Sequence, residues 1–349
     1  MIADRYEVVG ASFVGGMAAV WPCNDIVLQR KVAIKVMPGS AEKRRIRDEL
    51  SALLKMRSNH VVQVYDVLNL NKDLAIVQEF VEGKDLFDEG LAPKNKNEYL
   101  KLLWQIASGI ANIHDLDVIH RDIKPNNMKV DPEGVVKIFD FGLARDEGPS
   151  AATLGFVGTP GFAAPELYRH HVTFTAAVDT YAFGATALFL GLRDLPPELV
   201  HRPPVLSGAN YFSALPFKLA KDVESILNTC LEESPSIRPA MRDVRDLLAK
   251  HLLHNRHRAL IVFDGKASYL DATRPSVVLR LASIGEIGIR YDGFDFLVDR
   301  VSGEVFINNS PVAVGDHLPG ACVVALGAPE RKADRKYITF DLSHPEIVL

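Results

Sequence analysis

At residues 254–258 the spacing of apolar residues switches from every third or fourth position to every second, and that switch limits the folds open to this 349-residue chain. Before it, Tyr99, Leu103, Ile106, Ile110 and Ile113 fall on one stripe of residues 98–114, and residues 217–231 and 240–253 carry similar stripes. The switch is a short basic break, His254-Asn255-Arg256-His257-Arg258. Beyond it, Ala259–Phe263, Ser276–Ala282, Ile287–Tyr291, Phe294–Val301, Glu304–Asn308, Cys322–Leu326 and Lys336–Asp341 read as strands between Gly, Asp, Asn and Pro turns. Many short strands at regular spacing predict a β-sandwich or barrel. A chain of this length holds two domains, or three.

The first 80 residues differ again. Tyr6–Val9, Ala18–Trp21 and Lys31–Val36 are predicted strands, and residues 41–56 place Ile46, Leu50, Leu53 and Leu54 on one helical face. Val61–Leu68 and Leu74–Phe80 complete a small five-stranded lobe, after which, from Gly83, helices dominate. The fold class is therefore α+β: a bilobal body (1–82 and 83–254) followed by an all-β domain (259–349).

Two polar loops carry the chemistry. Residues 120–127 read His-Arg-Asp-Ile-Lys-Pro-Asn-Asn, and residues 140–142 read Asp-Phe-Gly. In this order and spacing they resemble the chemical core of a protein kinase, whose task would be to position ATP, Mg²⁺ and an acceptor hydroxyl around a loose transition state. From Arg5 to about Leu253 the chain resembles the eukaryotic-like Ser/Thr protein kinases of bacteria. The resemblance implies a bilobal kinase fold with ATP and Mg²⁺ as cofactors. It places Asp122 beside the acceptor hydroxyl and gives Asn127 and Asp140 to the metal. Lys124 would neutralise the transferred phosphoryl group, a mark of Ser/Thr specificity. Lys35, in Val32-Ala33-Ile34-Lys35, would contact the α- and β-phosphates with Glu49 as its helix partner. His120 would be structural rather than a base.

The nucleotide pocket follows from the same resemblance. Gln78 would guard its back, and Glu79-Phe80-Val81 would offer backbone hydrogen bonds to adenine. Val20, Ala33, Ile34 and Met128 would be apolar walls. The glycine-rich loop departs from the family pattern. Val14, Gly15 and Gly16 keep its centre, but Phe13 and Ala18 stand where glycines are expected, each placing a Cβ beside the phosphates. The activation segment runs from Asp140 to Glu166, with Ser150, Thr153 and Thr159 as candidate phosphosites. Thr159 also matches the threonine that bonds the catalytic aspartate and lysine. Glu166 would pair with Arg238, and Asp179 would anchor the catalytic loop from a buried helix.

The bulk properties exclude other classes. A net charge of −4 gives no argument for nucleic acid or a membrane surface as partner. Cys23, Cys230 and Cys322 are far apart, which fits a reducing cytoplasm. Residues 1–5 are not a signal peptide, and Ala182–Leu192 is too short to span a membrane and reads as a core helix. His251, His254 and His257, spaced by three, have no cysteine or carboxylate to complete a zinc set and read as a charged helix end.

Residues 259–349 resemble a forkhead-associated (FHA) domain, a β-sandwich that binds phosphothreonine. The likeness rests on Phe306-Ile307-Asn308-Asn309-Ser310-Pro311-Val312 and on the run Leu318–Gly327. The phosphate-reading residues do not match: Gly285-Glu286 stands where the family has Gly-Arg, and no Ser-x-x-His turn is present. Arg290 and Arg300 are either a different anion site or solvated strand charges. The domain is thus expected to bind a protein partner or its own kinase lobe. The leading function is a protein Ser/Thr kinase acting on protein substrates and on itself. Its rivals are a pseudokinase scaffold whose β domain binds protein, a small-molecule phosphotransferase, and a β-domain binder switched by the kinase lobes. The Ala164-Pro165-Glu166 motif with Arg238 argues against the phosphotransferase. Phosphothreonine peptides titrated against residues 255–349 should show no micromolar binding; binding in that range would overturn the altered-pocket reading.

Overall fold

The computed structural model describes residues 1–14, 19–37, 50–51, 53–70, 73–141, 159–169 and 174–345. The chain divides into two compact units, Met1–Leu247 and Leu248–Leu349.

The first unit opens with an antiparallel sheet in the order β1-β3-β4-β6-β5, with β2 on β3. Its strands are β1 (Tyr6–Val8), β2 (Phe13–Val14), β3 (Ala19–Asp25), β4 (Arg30–Met37), β5 (Val64–Leu70) and β6 (Asp73–Glu79). Side chains alternate across a strand. On β4, Val32 and Ile34 therefore enter the core with Tyr6, Cys23, Ala75 and Val77, while Ala33 and Lys35 face the other way into a cleft. The predicted helix over 41–56 lies largely outside the described residues.

Gly83 ends this lobe at φ 129°, where an added Cβ would fall 2.0 Å from the Val130 carbonyl oxygen. A small sheet follows, β7 (Lys84–Asp85), β8 (Met128–Val130) and β9 (Val136–Ile138). The longer helices among the described residues are α1 (Lys96–His114), α2 (Ala177–Leu192), α3 (Lys221–Cys230) and α4 (Met241–Leu253). The expected stripe on α1 is buried throughout. Its start is capped reciprocally: the Glu98 amide donates to Asn95 Oδ1 at 3.0 Å and the Lys94 amide to Glu98 Oε2 at 2.8 Å. Among the described residues no helix is long and apolar enough to cross a membrane.

The described residues of the second unit form nine strands in two sheets. One runs β11-β10-β18-β17-β15-β16 and the other β12-β13-β14. Their ranges are β10 (Ala259–Phe263), β11 (Lys266–Leu270), β12 (Ser276–Leu281), β13 (Gly285–Tyr291), β14 (Phe296–Gly303), β15 (Val305–Ile307), β16 (Ser310–Pro311), β17 (Cys322–Leu326) and β18 (Lys336–Leu342). Both sheets feed one core, in which Ile287, Ile289 and Phe296 meet Val324, Ile338 and Phe340. Sequence periodicity missed β11, an edge strand whose Lys266-Ala267-Ser268-Tyr269 is mostly exposed. The turn before it was the available signal. Asp264 and Gly265 both sit at positive φ, as a two-residue hairpin requires. Asn308 and Asn309 make the same kind of turn between β15 and β16.

The start of the chain is tied down by charge. Arg5 forks onto Asp25 at 2.8 and 2.7 Å, and the amides of Val27 and Leu28 donate to the same carboxylate, each at 3.2 Å. The guanidinium, opposed by burial and helped by those amides, holds the Asp25 carboxyl at about 2. A depressed folded-state pKa contributes stability above the unfolded pKa of about 3.9, and that stability disappears as pH falls through the folded value. Asp25→Asn should therefore lower thermal stability near neutral pH. The gap to the wild type should close between about pH 4 and pH 2; a gap that stays constant over that range would refute this account.

Candidate active site

The residues of the two polar loops converge in the first unit. Asp122 is gripped from both sides: Lys124 Nζ lies 3.0 Å from its Oδ2, and Asn127 Nδ2 donates to the same oxygen at 2.8 Å and to the Asp122 carbonyl at 2.8 Å. Lys124 also donates to Thr159 Oγ1 at 2.9 Å, which ties the catalytic loop to the end of the activation segment. The amide of Phe139 donates to the Asn127 carbonyl at 3.0 Å, bringing Asp140 in beside this loop. Asp140 then forms an ion pair with Lys35 Nζ from β4.

Asp179, at the start of α2, holds the loop from behind. Its Oδ2 accepts the His120 amide at 2.7 Å and its Oδ1 the Arg121 amide at 2.8 Å, and His114 Nε2 lies 3.0 Å from Oδ2. Burial pushes this carboxyl up, but the hydrogen bond and charge of His114, with His120, outweigh it and leave the pKa below the usual value. Arg121 and Asp140 sit at φ 67° and 66°, a left-handed conformation unusual for residues with a Cβ.

His120 is structural. Its Nε2 lies 3.1 Å from the Phe139 carbonyl, which can only accept, and its Nδ1 accepts the Asp122 amide at 3.3 Å. Both bonds are met by one neutral tautomer. Burial also pushes the imidazole pKa down, against nearby Asp179 and Asp122. The ring packs on Phe141 at 4.8 Å between centroids.

Lys35 and Asp140 line a cleft of about 310 Å³, with Val20, Ala33 and the segment Gln78–Val81 on its walls. Two expected walls are corrected. Ile34 and Met128 are fully buried in the core, because each is one residue out of phase with the cleft face of its strand. Lys129 takes the cleft position on β8, and Phe139, Val62 and Asn126 complete the lining. Sequence reading missed these four, though alternation along β8 places Lys129 on the face opposite Met128. Val14 belongs to β2. Glu49, Gly15, Gly16, Ala18, Ser150 and Thr153 lie outside the described residues.

Glu166 and Arg238 meet as expected. Arg238 forks onto the carboxylate at 2.7 and 2.9 Å and spends its other donors on the carbonyls of Ala177, Glu232 and Glu233. The side chains are 0% and 6% exposed. Removing one partner strands the other charge in the interior.

Residues 6–251 match the protein kinase domain, and the chain belongs to that family. Its relatives include the serine/threonine-protein kinase PknA of Corynebacterium glutamicum, 37% identical over 201 residues, which are 51% of this chain and 42% of the relative. The probable serine/threonine-protein kinase pknA2 of Bifidobacterium longum is 34% identical over 252 residues, 68% of this chain and 32% of the relative. PrkC of Bacillus subtilis is 33% identical over 192 residues, 52% of this chain and 30% of the relative. The chain thus spans less than half the length of each.

Arg238→Met should destabilise the first unit by about 3–5 kcal/mol, and adding Glu166→Met should recover part of the loss. A thermal unfolding cycle checks this; a double variant no better than the single would show that the charge left unpaired is not the cause.

Proposed function

We propose that this chain is a Ser/Thr protein kinase. It transfers the γ-phosphate of ATP to Ser and Thr hydroxyls of protein substrates and of its own activation segment, at Ser150, Thr153 or Thr159. The observation that carries this is the cluster of Asp122, Lys124, Asn127 and Thr159, joined through the Phe139 amide on the Asn127 carbonyl to Asp140, which pairs with Lys35 on the wall of the cleft. Asp122, with Lys124 and Asn127 fixing its carboxylate, orients the acceptor hydroxyl and takes its proton late. Lys124 stays beside that point to hold charge on the phosphoryl group. Lys35 holds the other phosphates, and the base sits against Gln78–Val81.

The donors fit Mg²⁺. Asn127 spends its amide N–H groups on Asp122, which leaves its carbonyl oxygen as a hard ligand, and Asp140 brings a carboxylate. Bound there, the ion would neutralise charge on the phosphates. Three free cysteines, all buried, support a cytoplasmic setting.

We further propose that the second unit is FHA-like and binds a protein partner without a phosphothreonine pocket. What supports this is Glu286, whose carboxylate is held by Arg280 and, at 3.2 Å, by Arg300. These arginines pull its pKa down, so a carboxylate stands where the resemblance calls for the arginine that reads the phosphate.

Phosphate incorporation from labelled ATP with Mg²⁺ tests the kinase reading. The wild type should label itself, while Asp122→Asn and Asp140→Asn should fall by at least about a hundredfold. No incorporation, together with no rise in melting temperature on adding ATP, would favour the scaffold.

A further inference from the structure

An aromatic ledge leads away from the catalytic loop. Phe162 lines a small pocket together with Asp122, Ile123 and Thr159. Its ring lies 6.1 Å from that of Phe189, near the end of α2. Phe189 in turn stacks on Phe87, with centroids 5.1 Å apart and planes 15° from parallel. Phe189 is buried, but Phe87 is 50% exposed. Beside Phe162, Gly161 sits at φ 86°, and a Cβ there would fall 2.6 Å from Leu195 Cδ1 and 3.8 Å from Val200 Cγ2. The apolar surface therefore continues through Leu195 to the exposed Val200.

An isolated exposed apolar side chain needs no explanation. Phe87 differs because its backbone and its ring are both held. Its amide donates to Asp85 Oδ1 at 2.9 Å. Arg193 donates to its carbonyl and, at 3.1 Å, to the carbonyl of Leu86. The same guanidinium lies 4.9 Å from the centre of the Phe189 ring. A fixed aromatic side chain with one face open loses little freedom when a partner covers it, which suits it to be an anchor. Arg193 beside the ring pair disfavours a second cation there. Two ring-to-ring steps separate Phe162 from Phe87. An extended peptide advances about 3.3–3.6 Å per residue, so about three residues cover that span. A segment whose Ser or Thr hydroxyl reaches Asp122 can thus lay a nearby side chain on Phe87.

We propose that this ledge reads the protein substrate, taking a bulky aliphatic or aromatic side chain that lies within about five residues of the acceptor Ser or Thr. The inference rests on the kinase reading and narrows its substrates to segments with an apolar anchor. It makes Phe87 a specificity-determining residue, because an apolar side chain laid on the open ring removes both surfaces from water.

Phosphorylation by the full chain of a peptide library with one fixed acceptor tests it, each flanking position being varied through Leu, Phe, Ala, Glu and Lys. The wild type should favour Leu or Phe over Ala and over Lys at one position by about tenfold in kcat/KM. Phe87→Ala should bring the Leu-to-Ala ratio at that position to within about twofold of unity. Phe87→Leu should keep most of the preference, and Phe87→Glu should turn it towards Lys. Equal Leu-to-Ala ratios in the wild type and Phe87→Ala, or a wild-type preference for Lys there, would overturn the inference and leave the kinase reading intact. If Phe87→Ala fails to fold, the wild type decides: no apolar preference within about five residues of the acceptor would overturn it. Self-labelling without phosphorylation of any library peptide would overturn it as well. Loss of self-labelling too would remove the kinase reading and this inference together.

Discussion

Asp179 is the hinge on which the candidate site turns. Its carboxylate lies in the protein interior and accepts two successive backbone amides, those of His120 and Arg121. Those bonds hold Arg121 in a left-handed conformation that it would not choose alone. The loop that leaves Arg121 carries Asp122, Lys124 and Asn127, so the direction of each depends on that anchor. A buried charge is costly unless it is hydrogen-bonded, and His114 with the two amides supplies those bonds. The loop is thus pre-organised by a buried group whose hydrogen bonds go to its backbone and to His114. His120 extends the same logic, since its neutral ring bridges the catalytic loop and the Phe139 carbonyl.

Strand alternation organises the cleft. On β4, Lys35 and Ala33 face the cleft because Val32 and Ile34 are committed to the core. On β8, Met128 is buried and Lys129 is turned out. One residue of phase separates a buried apolar side chain from a cation on the cleft wall. The Glu166–Arg238 pair plays a different part. It fastens the end of the activation segment to the segment before α4, with all of the arginine's hydrogen-bonding capacity directed inward.

In the second unit the balance of charge is local. Glu286 draws Arg280 and Arg300 onto itself along one sheet, and Glu304 pairs with Arg331 at 2.6 Å. The two hairpin turns at Asp264-Gly265 and Asn308-Asn309 set the register of their strands, since short polar residues and glycine tolerate positive φ. Register in turn puts every second side chain into one shared core.

The sequence by itself determined the order of the elements and the identity of the chemical groups. The stripe on α1, the strands Ala259–Phe263 and Cys322–Leu326, and the set Asp122, Lys124, Asn127, Asp140, Glu166, Asp179 and Arg238 were all readable. Local periodicity and motif spacing are properties of neighbouring residues. Tertiary structure alone decided which side of each strand met the cleft and which polar atoms became partners. It buried Ile34 and Met128, brought Lys129 to Val81 and Lys35 to Asp140, and closed Glu286 between two arginines. These outcomes depend on contacts between residues far apart in the chain, where packing and electrostatics act across space and local spacing has no say.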